Sequence, residues 1–377
     1  MRFWGITGTN GKTTTAWVLA EFMKAAYITT VEVNTLRRRF YTGYTTPPEK
    51  MLREIYAEME EAGAKDCVME VSSHAIAQNR VGFGSTTVFS GGAFTNISED
   101  HLDYHKTMDE YFRVKLDFAR RIAEGFGAPP MSAGRRDFPP YVVCMDGDGA
   151  TRMLAEVGRL PLNVLPVTIA APAFDLSGLQ LAGDYNKSNV LVAATLAEAA
   201  GVPHGDIQRV IPTLKPRWGR LEKVANHDCA ADVYVDFAHT PDGIEKVLRA
   251  ARAFTPAGGR LWIVFGAGGD RDPMKRPLMG EAAAKFADRI VVTSDNPRSE
   301  DPEAIMAAVM EGVRRVRPDA EGVAAAADRR EAIGRAMAEA SRGDVVLVCG
   351  KGHETTQEIA GVKHPFDDRR VVREWRA

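Results

Sequence analysis

Cysteine is scarce. Cys67, Cys144, Cys229 and Cys349 are the only 4 in 377 residues, far apart and never in a CxxC pair. That spacing excludes a disulfide framework and a thiolate zinc site, and it leaves them as reduced residues in or near strands. Long apolar runs are missing too: no stretch approaches the roughly 18 to 20 apolar residues of a membrane span. The first apolar residues lead into a glycine loop rather than a cleavage site, so the chain reads as cytoplasmic, with no membrane partner. An excess of one charge is also absent. With 48 Lys and Arg against 50 Asp and Glu, the formal charge is −2, so no global field draws nucleic acid and any anion site has to be local. Short-period repeats and low-complexity tracts do not occur, which excludes solenoids and disordered arrays.

What is there, 45% hydrophobic and 26% charged residues, is too much chain for one core and fits two globular domains. In the first half, "RFWGIT", "DCVMEV", "GAFTNI" and "YVVCMD" read as buried strands, and "TTAWVLAEFMKAA" reads as a helix. This alternation predicts a parallel sheet wrapped by helices. After "LKPRWGRLE" the habit repeats. "VYVDF", "RLWIVFG", "RIVVTS" and "DVVLVCG" are strands separated by helical stretches, so a second α/β domain is expected with its boundary near Pro216. "GFGAPPMSAGRRDFPP" reads as a loop, and "VTIAAPAFDLSG" carries weak strand signals.

The stretch "GTNGKTTT" sits between the first strand and the first helix. Gly8 and Gly11 let backbone N–H groups turn toward an anion, Lys12 adds a point charge, and the helix start adds its positive end. Thr13 is then placed to reach Mg²⁺. The pattern is GxxGKT rather than the full GxxxxGK[ST], because Ile6 stands five before Gly11. Glu70 closes a strand and brings a carboxylate to the carboxyl edge of the sheet, where open α/β folds bind ligands and where it calls for a cation. "TNISEDHLDYH" adds Asp100, His101, Asp103 and His105. Two histidines four apart could share a helix face and bind zinc, yet no HExxH glutamate accompanies them, and a hydrogen-bonded structural role for each stands equally open.

These blocks, with "EVSSHAIAQNRV", "GDYNKSN", "VDFAHTPDGIEKVL", "FGAGGDRDPMKRPLM", "TSDNPRSEDP" and "VCGKGHE", occur in the order and approximate spacing of the Mur ligases, and nearly the whole chain resembles that family. The resemblance implies a P-loop ATPase domain with a central, mostly parallel sheet over residues 1–215 and a Rossmann-like α/β domain over 216–377. It implies an ATP-dependent ligase adding meso-diaminopimelate to a muramoyl-dipeptide in peptidoglycan synthesis. ATP would lie on Gly8, Thr9, Asn10, Gly11, Lys12, Thr13 and Thr14, with Asn186 and Asn189 near the adenine and Arg220 and Asp236 from the second domain.

One Mg²⁺ would meet Thr13 and Glu70. A second would meet Glu70, His101 and a CO₂-derived carbamate on Lys115. The catalytic set is then Lys12, Glu70, His101 and Lys115. A plain ammonium repels Mg²⁺, whereas a carbamate is the anionic oxygen ligand it prefers. By residue type alone Lys115 is an exposed helix lysine. Thr45, Thr46, Ser72, Gln78 and Arg80 match positions that hold the muramoyl-peptide acceptor.

Arg271, Asp295, Asn296, Arg298, Gly350 and Glu354 match positions that hold diaminopimelate. Its distal carboxylate wants a guanidinium and its distal ammonium wants carboxylates. Lysine offers Arg298 nothing to bind. Family members also carry an N-terminal domain for the acceptor's uridine diphosphate; this chain starts at the ATPase domain, and its initial methionine reads as a natural start. The runs from Ala26 to Tyr44 and up to "GDYN" are shorter than the family norm. A monomer is expected. A related ligase using another carboxylic acid and a catalytically silent ATP-binding partner protein are the alternatives.

Overall fold

Residues 1–82, 85–125 and 138–377 are described by a computed structural model. Most of the loop expected over residues 125–140 lies outside them. The chain divides into two compact units, Met1–Leu214 and Lys215–Ala377.

In the first unit the strands are β1 (Arg2–Thr7), β2 (Ala26–Ile28), β3 (Val33–Asn34), β4 (Arg39–Phe40), β5 (Asp66–Glu70), β6 (Phe89–Phe94), β7 (Pro140–Cys144) and β8 (Asn163–Val167). They form one sheet in the order β4-β3-β2-β5-β1-β6-β7-β8. The β2–β3 and β3–β4 pairs are antiparallel and the other pairs are parallel. The four strands expected from apolar runs all formed, because strands covered on both faces need no alternation and read as continuous apolar segments. The short β2–β4 edge was not foreseen, since two or three residues leave no period to detect.

The helix Met108–Gly125 buries Tyr111, Phe112, Lys115, Leu116, Phe118, Ala119, Ile122 and Ala123 on one face. It lies close on the sheet because glycine stands beneath it. A Cβ on Gly5 would fall 2.4 Å from Phe118 Cζ, and one on Gly92 would fall 2.7 Å from Ile122 Cδ1. That close seat carries Lys115 inward.

The second unit contains β9 (Glu222–Val224), β10 (Asp232–Asp236), β11 (Leu261–Phe265), β12 (Arg289–Val292), β13 (Val323–Ala325) and β14 (Val345–Cys349). Their order is β13-β12-β11-β14-β10-β9, parallel apart from β9. The hairpin of β15 (Thr356–Ile359) and β16 (Val362–Pro365) stands apart from that sheet. The α/β class expected from the sequence is thus present in both units. Each sheet gathers loops at its carboxyl edge, and the chemistry-bearing residues sit in those loops. Among the described residues, no helix is long and apolar enough to cross a membrane.

Candidate active site

The glycine loop leaves the end of β1, and the loop after β6 imposes its shape. Thr9 N–H donates to Asn96 O at 2.9 Å, and Asn10 N–H donates to Asn96 Oδ1 at 2.9 Å. Asn96 Nδ2 returns a bond to Asn10 O at 3.1 Å, and Thr95 Oγ1 donates to the same carbonyl at 2.7 Å. Gly11, at φ 84°, is the N-cap of the helix Lys12–Met23, whose first turn holds no acidic residue to offset its positive end. A Cβ on Gly11 would lie 2.3 Å from Asn189 Oδ1, so only glycine lets that amide buttress the loop.

Asn186 and Asn189 are buried here and bonded within the protein. Thr15 Oγ1 donates to Asn189 Oδ1 at 3.2 Å, Asn189 Nδ2 to Asn186 Oδ1 at 3.4 Å, and Asn186 Nδ2 to Ala182 O at 2.7 Å. Thr13 is buried and Thr14 half-buried in the same helix turn.

Register places Glu70 beside the loop, because Ile6 of β1 pairs with Glu70 of β5. The Glu70 carboxylate is buried and accepts the Thr30 N–H at 2.8 Å on one oxygen and the Thr30 hydroxyl at 3.0 Å on the other. Lys115 is also buried, which corrects its reading as an exposed helix lysine: the close-packed helix face carries it under the loop. Its ammonium donates to Gly8 O at 2.8 Å and stands 4.4 Å from the Tyr111 ring centre. Lys12 curls back on the loop as well, donating to Gly8 O at 3.1 Å and Thr9 O at 2.8 Å. Burial first, and then the charge of Lys12, pushes the Lys115 pKa well below the ordinary lysine value, against the pull of Asp100.

His101 precedes the short helix Leu102–His105 in a left-handed conformation, φ 57°. The rings of His101 and His105 both pack beside His74 and Tyr111, but they take different polar partners. His101 Nε2 lies 3.5 Å from Asp100 Oδ2, while His105 Nε2 pairs with Ser73 Oγ at 2.9 Å and stacks on Tyr111. A shared zinc-binding helix face is therefore absent, and the side chain of Asp103 falls outside the described residues. Burial lowers the pKa of His101; Asp100 opposes this, and Lys12, His74 and Lys115 add to it, so at neutral pH the ring is uncharged and keeps a lone pair for a metal.

Of the five hydroxyl, amide and guanidinium residues expected at the acceptor, Thr46 bonds Glu70 directly and the other four join it through a chain of hydrogen bonds. Thr46 Oγ1 donates to Glu70 O at 2.7 Å and accepts Ser72 N–H at 3.0 Å. Thr45 Oγ1 lies within hydrogen-bond distance of Thr30 Oγ1, at 3.0 Å. Arg80 donates to Thr46 O at 3.0 Å and also to Gln78 Oε1.

In the second unit, loops after β10, β11, β12 and β14 meet at the carboxyl edge of the sheet. Asp236 accepts Leu221 N–H and Ala238 N–H, each at 2.7 Å, and burial raises its pKa. The Arg220 guanidinium lies 4.4 Å from the Phe237 ring centre. Gly350 has φ 113°, and a Cβ there would sit 2.4 Å from Asp295 Oδ2. Asn296 Nδ2 donates to Glu354 Oε2 at 2.8 Å, and Arg298 donates to Gly269 O. Arg271 is exposed on the adjoining loop. Beneath them Arg329 and Asp368 form an ion pair with both side chains fully buried. Arg329 also donates to Ser294 O at 3.3 Å and Cys349 O at 2.9 Å, the carbonyls just before Asp295 and Gly350.

Two regions match known domains: residues 6–127 the Mur ligase middle domain, and residues 219–352 the Mur ligase glutamate ligase domain. The chain is 42% identical over 388 residues to the UDP-N-acetylmuramoyl-L-alanyl-D-glutamate--2,6-diaminopimelate ligase of Chromobacterium violaceum, covering 98% of this chain and 76% of that protein. With the ligase of the same name from Chlorobaculum tepidum it shares 38% over 389 residues, covering 98% and 75%. The chain belongs to the Mur ligase family. A solved structure of a ligase of that name aligns with TM-score 0.60 at 31% identity, over 99% of this chain and 77% of that one. Folylpolyglutamate synthase of Mycobacterium tuberculosis shares the fold, with TM-score 0.62 at 19% identity over 93% of this chain and 88% of that one.

Mur ligases use ATP and Mg²⁺. Among the described residues of this Mur ligase, no group of three or more His, Cys, Asp or Glu side chains is arranged to hold a metal. That agrees with the habits of Mg²⁺, which is bound by one or two carboxylates and by substrate phosphates rather than by an all-protein cage. A buried carboxylate with neutral partners, a hydroxyl on the phosphate-loop helix and an uncharged imidazole form such a donor set, so the residues fit the ion. Three residues escaped sequence reading: Thr30, which orients Glu70; Lys351, within the Glu354 cluster; and Arg329. Lys351 stood inside a recognised block, whereas Thr30 and Arg329 sit in segments with no motif.

Proposed function

We propose that this Mur ligase is an ATP-dependent acid–amino-acid ligase that joins meso-diaminopimelate to the D-glutamyl carboxylate of a muramoyl-dipeptide. The observation that carries the reading is the set Asp295, Asn296, Arg298, Gly350 and Glu354 at one sheet edge, which offers carboxylates and a guanidinium to an amino acid with a zwitterionic far end.

Lys12 leaves the Gly8 and Thr9 carbonyls to hold the β and γ phosphates, and the loop N–H groups and helix start take the remaining charge. Gly8, Thr9, Asn10, Gly11, Thr13 and Thr14 line that cradle. In this reading Asn186, Asn189, Arg220 and Asp236 also serve the nucleotide. Thr45, Thr46, Ser72, Gln78 and Arg80 orient the acceptor so that its carboxylate faces the γ phosphorus. That carboxylate attacks, an acyl phosphate forms and ADP leaves. The amine of diaminopimelate then attacks the acyl carbon, and the tetrahedral adduct expels phosphate to give the amide.

Thr13, Glu70, His101 and a carbamate on Lys115 would hold two Mg²⁺ ions, whose chemistry is to neutralise charge on the transferring phosphoryl group. The lowered Lys115 pKa supports carbamate formation, because the uncharged amine is the form that adds CO₂.

The test is phosphate release from ATP with the muramoyl-dipeptide and either diaminopimelate or lysine. Release that requires both the dipeptide and diaminopimelate supports the reading; ATP binding without turnover sinks it. Arg298→Ala is expected to lose the preference for diaminopimelate while ATP affinity stays. An equal fall in ATP affinity would refute the role given to Arg298.

A further inference from the structure

Arg121, on the helix Met108–Gly125, reaches across to the turn that follows the short helix Ser73–Ala77. Its guanidinium brackets Arg80 along the chain: Nη2 donates to Asn79 Oδ1 at 2.7 Å, and Nη1 donates to Val81 O at 2.9 Å. Nε donates to Asp117 Oδ2 at 2.8 Å, one helical turn back. Asp117 thereby neutralises the guanidinium and fixes its plane. The turn is shaped to receive it. Asn79 is left-handed at φ 52°, a conformation that asparagine takes more readily than most residues. Gly82 has φ 102°, and a Cβ there would fall 2.6 Å from Arg121 Cδ, so glycine lets the arginine stem lie against the backbone.

We propose that Arg121 is a positioning residue of the acceptor site: it clamps the chain on both sides of Arg80 and so sets where that guanidinium, with Gln78 beside it, meets the acceptor. The proposal rests on the reading of Gln78 and Arg80 as acceptor residues. In this role Arg121 does not touch the acceptor.

The preceding helix is only 5 residues long, and beyond it the chain is held by Asn79 N–H on Ile76 O at 3.1 Å and Arg80 N–H on Ala75 O at 2.9 Å. So short a helical segment is marginal without tertiary support. Arg121 ties it to an 18-residue helix seated on the sheet. Arg80 itself gives one donor to Thr46 O at 3.0 Å and another to Gln78 Oε1. Of the five guanidinium N–H groups, three then remain for a carboxylate among the described residues. The helix that holds this turn also carries Lys115 to Gly8 O of the phosphate loop. One rigid element thus fixes both the acceptor's guanidinium and the loop that faces the γ phosphate, and reaction between two bound groups depends on such a fixed separation.

Arg121→Met keeps the apolar stem over Gly82 and removes all three bonds. Asn79→Gly removes one of them, and glycine adopts φ 52° without strain, so folding is little disturbed. The KM for the muramoyl-dipeptide is expected to rise about tenfold or more in Arg121→Met and by a smaller factor in Asn79→Gly, while the KM for ATP stays within about twofold of the parent. Because Arg121→Met already loses the Asn79 contact, the double variant is expected to match Arg121→Met alone. Arg121→Lys does not rescue, since a single ammonium cannot span both sides of Arg80. Thermal unfolding of each variant is measured alongside, and Asn79→Gly is expected to raise the acceptor KM without melting earlier.

An acceptor KM in Arg121→Met within about twofold of the parent, a parallel rise in the KM for ATP, or effects that multiply in the double variant would overturn the proposal. So would an acceptor KM that rises only in variants that also melt earlier. If the parent shows no phosphate release dependent on the acceptor, the functional reading fails instead, and that control tells the two failures apart.

Discussion

Arg329→Met tests whether the second unit depends on its buried ion pair. Both side chains of Arg329–Asp368 are fully buried, joined by bonds of 2.8 and 2.7 Å. Although burial pulls the guanidinium pKa down, the charge and hydrogen bonds of Asp368 hold it above its ordinary value, so the pair stays ionised. Removing the arginine alone strands the Asp368 carboxylate away from water and deprives Ser294 O and Cys349 O of a donor. Breaking one side of such a pair costs about 3–5 kcal/mol. For a unit of this size that is roughly 6 to 20 °C in melting temperature.

Replacing both partners, Arg329→Met with Asp368→Leu, removes the stranded charge. It is expected to recover most of the loss, but not the roughly 1–3 kcal/mol tied to an unsatisfied buried acceptor. Thermal unfolding of the two single variants and the double variant closes the cycle. A single variant melting within about 2 °C of the parent, or a double variant no better than the worse single, would refute the reasoning.

Gly11→Ala forces a φ of 84° on alanine and drives its Cβ to 2.3 Å from Asn189 Oδ1, so nucleotide affinity is expected to collapse. Titration with an ATP analogue checks it, and unchanged affinity would contradict the cradle assigned to this loop. His353 has its pKa pushed down to about 3 by burial, with Arg220, Arg369, His239 and Lys351 adding to the effect. Below the ordinary histidine value of about 6.5, the unfolded chain takes up a proton that the folded chain refuses. Stability therefore falls as pH drops from there toward 3 and is insensitive to this group above it. His353→Gln is expected to flatten the melting temperature across that window, and a slope equal to the parent's would show that the histidine is not responsible.

Much of the first unit was legible in its residues, and the reason is local. A strand buried on both faces is a run of apolar residues, and the phosphate loop is a contiguous stretch whose glycines, lysine and threonine act through backbone geometry next to one another. Residue type alone reads Lys115 as exposed, even though Tyr111, Lys115, Phe118 and Ile122 follow a four-three-four spacing that places it on the buried face. The residue type outweighed the period. The different partners of His101 and His105 were not readable, because they depend on a positive φ at His101 that no side-chain pattern announces.

The sequence by itself determined the alternation of strands and helices, the anion-binding loop and the inventory of carboxylates, guanidiniums and hydroxyls, since each is set by neighbouring residues. Only the tertiary structure decided which charges cancel. Thr30 reaches Glu70 across 40 positions, Lys351 meets Asn296 across 55, and Arg329 meets Asp368 across 39. The physical reason is that a charge inside a protein acts through its surroundings, and those are assembled by sheet order and strand register rather than by nearness along the chain.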